Sequence, residues 1–131
     1  MKEKNQIPGI HCCYSRAEAI EDELQVDVSD LGAEAGIRFP VFMTLTVYER
    51  FVTVPEGVEA QDEDGRLWDI LWMLKFAIRR APADTRRLPF ELYVRNSNEK
   101  GAELVTLAAV CGPVDIHDPR PAITILMPDE D

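Results

Sequence analysis

The sequence is short of basic residues. Lysine and arginine number 14 against 24 aspartates and glutamates, which gives a formal net charge of −10. Nucleic-acid binding needs a surplus of Lys and Arg on at least one face of a protein, so we expect no direct nucleic-acid binding. An acidic surface favours instead a protein partner with a basic surface and speeds their encounter.

Long apolar runs and an even number of cysteines are also missing. The longest stretches without charge, such as Leu104 to Val114, cover 11 residues, which is too short to cross a bilayer. No apolar segment follows the polar N-terminus, so no signal peptide is expected. Three cysteines are an odd set in a chain able to fold without disulfides, which favours a reducing compartment. We therefore expect a cytoplasmic protein with no membrane contact.

Motifs that hold cofactors or metals are absent from the sequence as well. It contains no phosphate-binding loop, no Gly-x-Gly-x-x-Gly and no Gly-x-Ser-x-Gly. Its His/Cys cluster, His11-Cys12-Cys13, lacks the two separated ligand pairs of a zinc site. Cys111 ends an apolar segment and is expected to be an inert buried thiol. We expect no cofactor and no metal, we name no catalytic residue, and the prediction leans against an enzyme.

The apolar content is sufficient for one core. With 131 residues and 46% apolar residues, a single domain over residues 1–131 is expected, with 1–9 as a loose terminus. The segment Ser15-Arg16-Ala17-Glu18 fits a capping box, so a helix should follow over residues 16–23. A second brief helix over residues 31–35 should end at Gly36 in the left-handed conformation.

The middle of the chain holds one ambiguous segment and the clearest helix. Residues 37–54 contain β-branched and aromatic residues that favour a strand, but Thr44 could also cap a helix. We favour a short strand followed by that helix. The apolar spacing over residues 66–81 predicts a helix, preceded by the acidic turn 62–64 and ended by Pro82.

In the last third of the chain the apolar period changes from helical to two. Residues 88–94 alternate and predict a half-buried strand. Residues 104–110 are apolar on both faces and predict a strand covered on both sides. Residues 113–121 are expected to be a loop, and 122–127 a final strand. The fold class is therefore α+β, an antiparallel sheet of three or more strands packed against a long tryptophan-bearing helix, with short N-terminal helices.

The long helix carries two apolar rows. One row consists of Leu67, Leu71, Leu74 and Ile78. Trp68, Trp72 and Phe76, spaced by four residues, form the other. We favour the interpretation that both rows are core. The alternative is that the aromatic row is an exposed ridge that anchors a partner or a homodimer, since Trp and Tyr dominate interface energetics.

Carboxylates concentrate in two segments, residues 16–34 and 56–69. Side chains four apart on a helix, such as Glu18 and Asp22, lie about 6 Å apart, which is near the spacing of phosphates along a nucleic-acid strand. Either these carboxylates form a solvated face, or they imitate nucleic acid for a cationic partner. The candidate partner-binding residues are Glu18, Glu21, Asp22, Asp62, Glu63, Asp64, Trp68 and Trp72.

Several motifs together resemble one family. They are Tyr14-Ser15-Arg16-Ala17-Glu18-Ala19-Ile20, Phe39-Pro40-Val41, Gly65-Arg66-Leu67-Trp68-Asp69-Ile70-Leu71-Trp72-Met73, Val110-Cys111-Gly112-Pro113 and Ile123-Thr124-Ile125 with Pro128-Asp129-Glu130-Asp131. Together they are similar to a family of small acidic bacterial proteins of unassigned function that are carried by plasmids, prophages and integrated elements. The chain departs from the family pattern at Glu23, where the pattern has glycine. His11-Cys12-Cys13 lies outside the pattern.

The resemblance implies a genetic setting rather than an activity. In that setting our first hypothesis is a non-enzymatic protein that binds a host protein, such as a CRISPR or restriction effector, through its acidic surface. The second is a small enzyme that modifies a host protein or a nucleotide, with His11, Cys13, Tyr14 and Arg16 as the polar cluster to test first. The third is a dimeric accessory protein of the element.

Overall fold

The computed structural model describes residues 15–58 and 61–130 and confirms the α+β class. Five strands form one sheet in the order β1-β2-β5-β4-β3. The elements in chain order are α1 (Arg16–Glu21), β1 (Gln25–Asp27), α2 (Ser29–Ala35), β2 (Val41–Thr44), α3 (Leu45–Val47) with a π-helical turn (Tyr48–Val52), α4 (Glu63–Arg80), β3 (Arg87–Arg95), β4 (Ala102–Asp115) and β5 (Asp118–Leu126).

The sheet is mixed. Three of its four neighbouring pairs are antiparallel, as expected, and β2 runs parallel to β5. A parallel pair needs a long crossover connection, and the chain between β2 and β5 supplies one that contains α4 and the β3–β4 hairpin. This connection places β5 in the centre of the sheet and β3 at its edge.

The helices lie on both faces of the sheet. α2 and α4 pack together over the face that carries the main hydrophobic core. Phe42 and Thr124 alternate with core residues of their strands and therefore point to the opposite face. There Arg16, the first residue of α1, lies 4.1 Å above the Phe42 ring and donates to Thr124 Oγ1 at 3.0 Å. α1 therefore covers the face that α4 does not.

The helix caps predicted in the first half of the chain are confirmed. Ser15 accepts from the amide of Glu18, whose carboxylate accepts in turn from the amide of Ser15. Gly36 ends α2 with φ of 101°. The ambiguous segment is a strand followed by helical turns, and Thr44 caps those turns as expected.

The long helix begins three residues earlier than the apolar spacing predicts, because Asp62 is its cap. The Oδ1 atom of Asp62 accepts from the amide of Gly65 at 2.7 Å. Glu63 and Asp64 therefore lie in the first turn, where carboxylates suit the positive end of the helix dipole. Apolar periodicity cannot detect a polar first turn, which explains the difference.

The alternating strand over residues 88–94 is confirmed as β3. Residues 104–110 were expected to be covered on both faces, and this is wrong for the first part of the segment. β5 ends at Leu126, opposite Ala108, so residues 102–107 of β4 have β3 as their one neighbouring strand among the described residues. Leu104 is consequently 54% exposed.

The loop expected over residues 113–121 is also wrong. β4 and β5 continue through it and turn only after Asp115. Pro113 and Pro121 face each other across this ladder. The amide of Cys111 donates to the carbonyl of Arg86, the residue before β3. The N–H and C=O groups of odd-numbered β4 residues therefore point away from β5, and a proline at 113 removes no bond between β4 and β5. Cys111 itself is exposed, contrary to expectation.

Candidate protein-binding groove

A groove follows the outer edge of β3, beside α4. Two adjoining cavities of about 800 and 460 Å³ form it, and both are lined by Asp69, Leu92 and Tyr93. Asp62 and Trp68 line the larger cavity. We call it the edge groove, and its main lining residues are Trp68, Asp69, Trp72, Met73, Glu91, Leu92, Tyr93 and Leu104.

Exposed apolar side chains gather at this groove. Nine large apolar residues of the described chain are exposed, and four of them line the edge groove. Their exposed fractions are 37% for Trp72, 39% for Met73, 67% for Tyr93 and 54% for Leu104. Apolar side chains grouped in this way on a protein surface mark interaction sites, whereas scattered ones do not.

The aromatic row of α4 lies along the groove as a ladder of rings. The rings of Trp68 and Trp72 stack with centroids 5.5 Å apart, and the ring of Phe76 meets Trp72 edge-on at 5.4 Å. The Nζ atom of Lys75 lies 4.7 Å from the Trp72 ring centroid. Trp68 and Phe76 are half-buried and Trp72 is exposed. The expectation that this row is core is therefore wrong for Trp72, whereas Trp68 packs against the core.

The leucine row behaves as expected except at its end. Leu67, Leu71 and Leu74 are buried against the sheet. Ile78, one turn further on, is 37% exposed and lines a separate shallow pocket with Cys111. The core-facing side of α4 therefore ends before the helix does.

A buried arginine fixes the floor of the groove. Arg66 is only 6% exposed, and burial lowers the pKa of its guanidinium. The guanidinium donates to the carbonyl oxygens of Phe51 (3.0 Å) and Arg95 (2.8 Å) and to the side-chain oxygens of Gln61 (2.7 Å) and Asn96 (2.6 Å). These four bonds tie the first turns of α4 to the end of β3, and residues of both elements line the groove.

The smaller cavity of the groove has an acidic character as well as an apolar one, since its charged lining residues are Asp69 and Glu91, whereas the larger cavity is also lined by Arg66 and Arg95. Asp69 points into both cavities, and partial burial there raises the pKa of its carboxyl group. Asp62 lies at one end of the groove and Glu91 along its length. A cationic side chain placed beside Asp69 would favour the ionised form that the groove disfavours.

The structure separates the predicted partner-binding residues into two groups. Asp62, Trp68 and Trp72 line the edge groove, and Glu63 and Asp64 belong to the same helix turn. Glu18, Glu21 and Asp22 belong to or follow α1, on the opposite face of the sheet.

Several of the predicted acidic residues also have structural contacts, among them Asp62 as the cap of α4. Glu18 accepts from the hydroxyl of Ser15 at 3.1 Å. Glu63 accepts from the hydroxyl of Tyr48 at 3.0 Å. The acidic segments therefore do not form one continuous face, and a partner in the edge groove meets only the second.

Most of the polar cluster that the second hypothesis names for catalysis lies outside the described residues. His11, Cys12, Cys13 and Tyr14 lie outside the described residues. The guanidinium of Arg16 is engaged with Val114, Gln25 and Thr124, so this side chain fixes α1 to the sheet. Within residues 15–58 and 61–130 there is no group of three or more His, Cys, Asp or Glu side chains that could hold a metal ion. In the same ranges, every helix is too short or too polar to span a membrane.

The sequence analysis identified two of the eight main lining residues of the groove. It named Trp68 and Trp72. It did not name Met73 of the same helix, Tyr93 of β3 or Leu104 of β4. One signal was available, since Pro89 within an alternating strand indicates a sheet edge. An edge strand beside an aromatic helix face predicts a groove.

The fold and the site thus define a class of protein, an α+β domain with an apolar and acidic groove at a sheet edge. The chain belongs to a family of unknown function, DUF6573, whose sequence model matches residues 4–131. No curated protein and no solved structure matches the chain.

Proposed function

We propose that this protein is a non-enzymatic protein-binding protein and that the edge groove is its binding surface. The observation that supports this most is the convergence of Trp72, Met73, Tyr93 and Leu104 at the rim of one groove. Aromatic side chains and methionine are enriched at the centres of protein interfaces. Trp72 and Met73 belong to a helix, so ordering them on binding costs little conformational entropy.

The partner that we propose is a host protein with a basic surface. The net charge of −10 and the carboxylates Asp62, Asp69 and Glu91 at the groove favour a cationic partner. The resemblance to proteins of plasmids, prophages and integrated elements supports a setting in which the partner is a host defence effector, such as a CRISPR or restriction complex. In this proposal the protein inhibits that effector by occupying a basic groove that otherwise holds nucleic acid.

The test is a capture from host lysate followed by quantitative binding. Tagged protein is incubated with the lysate at low salt, and the captured protein is purified. Its affinity is then measured for the wild type, for Trp72→Ser and for the control Ile78→Ser. The two replaced side chains are equally exposed on the same helix, but only Trp72 lines the edge groove.

We expect Trp72→Ser to weaken binding by at least about 10-fold and Ile78→Ser by less than about 3-fold. Affinity should fall steeply with rising ionic strength. Equal effects of the two variants would remove the groove from the account, and a flat salt dependence would remove the acidic imitation of nucleic acid. A partner that the protein modifies covalently would contradict the non-enzymatic assignment.

A further inference from the structure

On one side of β3, between Pro89 and Tyr93, no strand of the described residues pairs with the backbone. The amide of Cys111 donates to the carbonyl of Arg86 at 2.8 Å, and β3 and β4 pair in a continuous antiparallel register. Hydrogen-bonded pairs alternate in such a ladder. Even-numbered residues of β3 therefore bond to β4, and odd-numbered ones direct their N–H and C=O groups to the outer edge.

Two observations agree with this assignment. Pro89, which has no N–H, occupies an odd position, where it removes no ladder bond. The carbonyl of Arg95, another odd position, accepts from Arg66 outside the ladder. Between these two positions lie Glu91 and Tyr93. Their main-chain groups pair with no strand among the described residues.

We propose that the edge groove binds its partner by taking an extended segment of that partner as a sixth strand beside β3. This inference rests on the proposed function and specifies how the groove is used. The N–H and C=O groups of Glu91 and Tyr93 give the added strand four main-chain hydrogen bonds. Pro89 and the occupied carbonyl of Arg95 mark the two ends of the pairing, so the paired stretch is short.

The side chains around the edge define the chemistry of the segment. On the α4 side, an added strand meets Trp72, Met73 and the partly desolvated carboxyl group of Asp69. On the other side it meets Tyr93, together with Glu91, and Arg95 follows at the end of the pairing. Successive side chains of a strand point to opposite faces. The segment that fits alternates apolar with basic residues, so that its apolar face packs on Trp72 and Met73 and its basic face lies beside Glu91 and Tyr93.

A second copy of this chain fits the same edge less well. It would bring its own Asp69 and Glu91 to the groove, and like charges brought together across an interface are repulsive. A protein of net charge −10 gains no charge complementarity from pairing with itself. The occupant to which we commit is therefore a basic, extended segment of a different protein.

The experiment uses a synthetic peptide of about ten residues, enough to cover the edge, in which valine and lysine alternate. A peptide of the same length and charge in which prolines replace some of the valines serves as the control, because proline cannot form a strand ladder. Amide hydrogen exchange is followed residue by residue in the wild-type protein as each peptide is added. We expect the exchange of the Glu91 and Tyr93 amides to slow by at least about 10-fold with the alternating peptide and to be unchanged with the control.

Two variants separate main-chain pairing from charge. Glu91→Pro removes an outward N–H and leaves the bonds from β3 to β4 in place, as Pro89 already does. Glu91→Gln removes the charge and keeps the N–H. We expect the peptide affinity to fall at least about 10-fold in Glu91→Pro and about 2- to 3-fold in Glu91→Gln. If Glu91→Pro does not fold, Tyr93→Pro replaces it. The exchange measurement on the wild-type protein tests strand addition without either proline variant.

The possible results separate this inference from the proposed function. Absence of peptide binding, or binding without protection of the Glu91 and Tyr93 amides, overturns strand addition. Equal affinity for the two peptides overturns it as well. In each of these cases the proposed function is judged by the captured partner and the Trp72→Ser comparison. If that comparison fails while the alternating peptide protects both amides, strand pairing survives and the proposed host partner does not.

Discussion

Glu23 has a backbone conformation that residues with a side chain disfavour. Its φ of 62° lies in the left-handed region, and no other described residue apart from glycines has a positive φ. The amides of Glu23 and Leu24 bond back to Ile20 and Ala19, which is a Schellman motif at the end of α1. The position requires the conformation that glycine adopts most easily.

Replacement of Glu23 by glycine should therefore stabilise the protein. We expect the free energy of unfolding to rise by roughly 0.5–1 kcal/mol, because the left-handed conformation costs a glycine less. Urea denaturation measures this. The control Glu21→Gly, within α1, should destabilise the protein by about the same amount. A loss of stability in Glu23→Gly would show that the glutamate side chain has a contact that outweighs the strain.

Arg66 is the residue on which the shape of the groove depends. Arg66→Met leaves four oxygen atoms in or near the interior without their donor, so we expect a loss of about 3 kcal/mol in the free energy of unfolding. The loss in the free energy of unfolding of Arg66→Lys should be smaller than that of Arg66→Met but not zero, because one ammonium group cannot reach all four acceptors. Chemical denaturation with exposed Arg79→Met as control, expected within about 0.5 kcal/mol of the wild type, checks this. Equal midpoints for both methionine variants would contradict the assigned role.

At the scale of elements, α1 is held to the sheet by Asp115. The carboxylate accepts from the amides of Arg16 (2.9 Å) and Ala17 (3.0 Å), the first two residues of α1. Desolvation alone would raise the pKa of Asp115. The amides of Ile116, Arg16 and Ala17 outweigh that effect and lower it. The hairpin turn thus acts as a long-range cap for a helix that is a hundred residues away in the sequence.

A carboxyl group whose pKa is lower in the folded protein stabilises it above the unfolded pKa and loses that effect as the pH falls through the folded value. Asp115→Asn should therefore cost about 1 kcal/mol at neutral pH, and the difference from the wild type should shrink as the pH is lowered towards about 3. Unfolding curves at several pH values measure it. A difference that is the same at every pH would indicate that the charge of Asp115 contributes nothing.

The aromatic face of α4 gives a second prediction about an element. Because Trp72 is exposed and Trp68 is half-buried, acrylamide should quench part of the tryptophan fluorescence of the free protein. Trp72→Phe should remove the accessible part and leave a less quenchable, blue-shifted emission from Trp68. If the wild type resists quenching throughout, both rings are buried and the aromatic row is core after all.

The elements were predictable where a single local pattern determined them. The capping box at Ser15, the left-handed Gly36 and the alternation along β3 all follow from neighbouring residues. The continuation of β4 and β5 through residues 113–121 did not, because prolines indicate a loop unless it is known which side of the strand carries the neighbour. The exposure of Leu104 depends on where β5 ends, and no local pattern contains that information.

At the scale of the whole molecule, composition indicated an acidic α+β protein and could not indicate how its charges are arranged. Glu18 and Asp62 belong to acidic segments that look equivalent in the sequence, yet α1 and α4 lie on opposite faces of the sheet. The groove likewise joins a helix face to a strand edge about twenty residues further along the chain. Only the strand order, with β3 at the edge, brings Trp72 and Tyr93 together, so half of the candidate site was beyond prediction.

The central claim is that the edge groove is the surface that binds a partner, and site-specific photo-crosslinking in the host cell tests it most directly. A photoreactive phenylalanine analogue replaces Tyr93 in one version of the protein and Ile116, an exposed residue of the β4–β5 turn, in the other. The account predicts a discrete crosslinked partner from position 93 and none from position 116. The same adducts from both positions, or an adduct from position 116 alone, would contradict it.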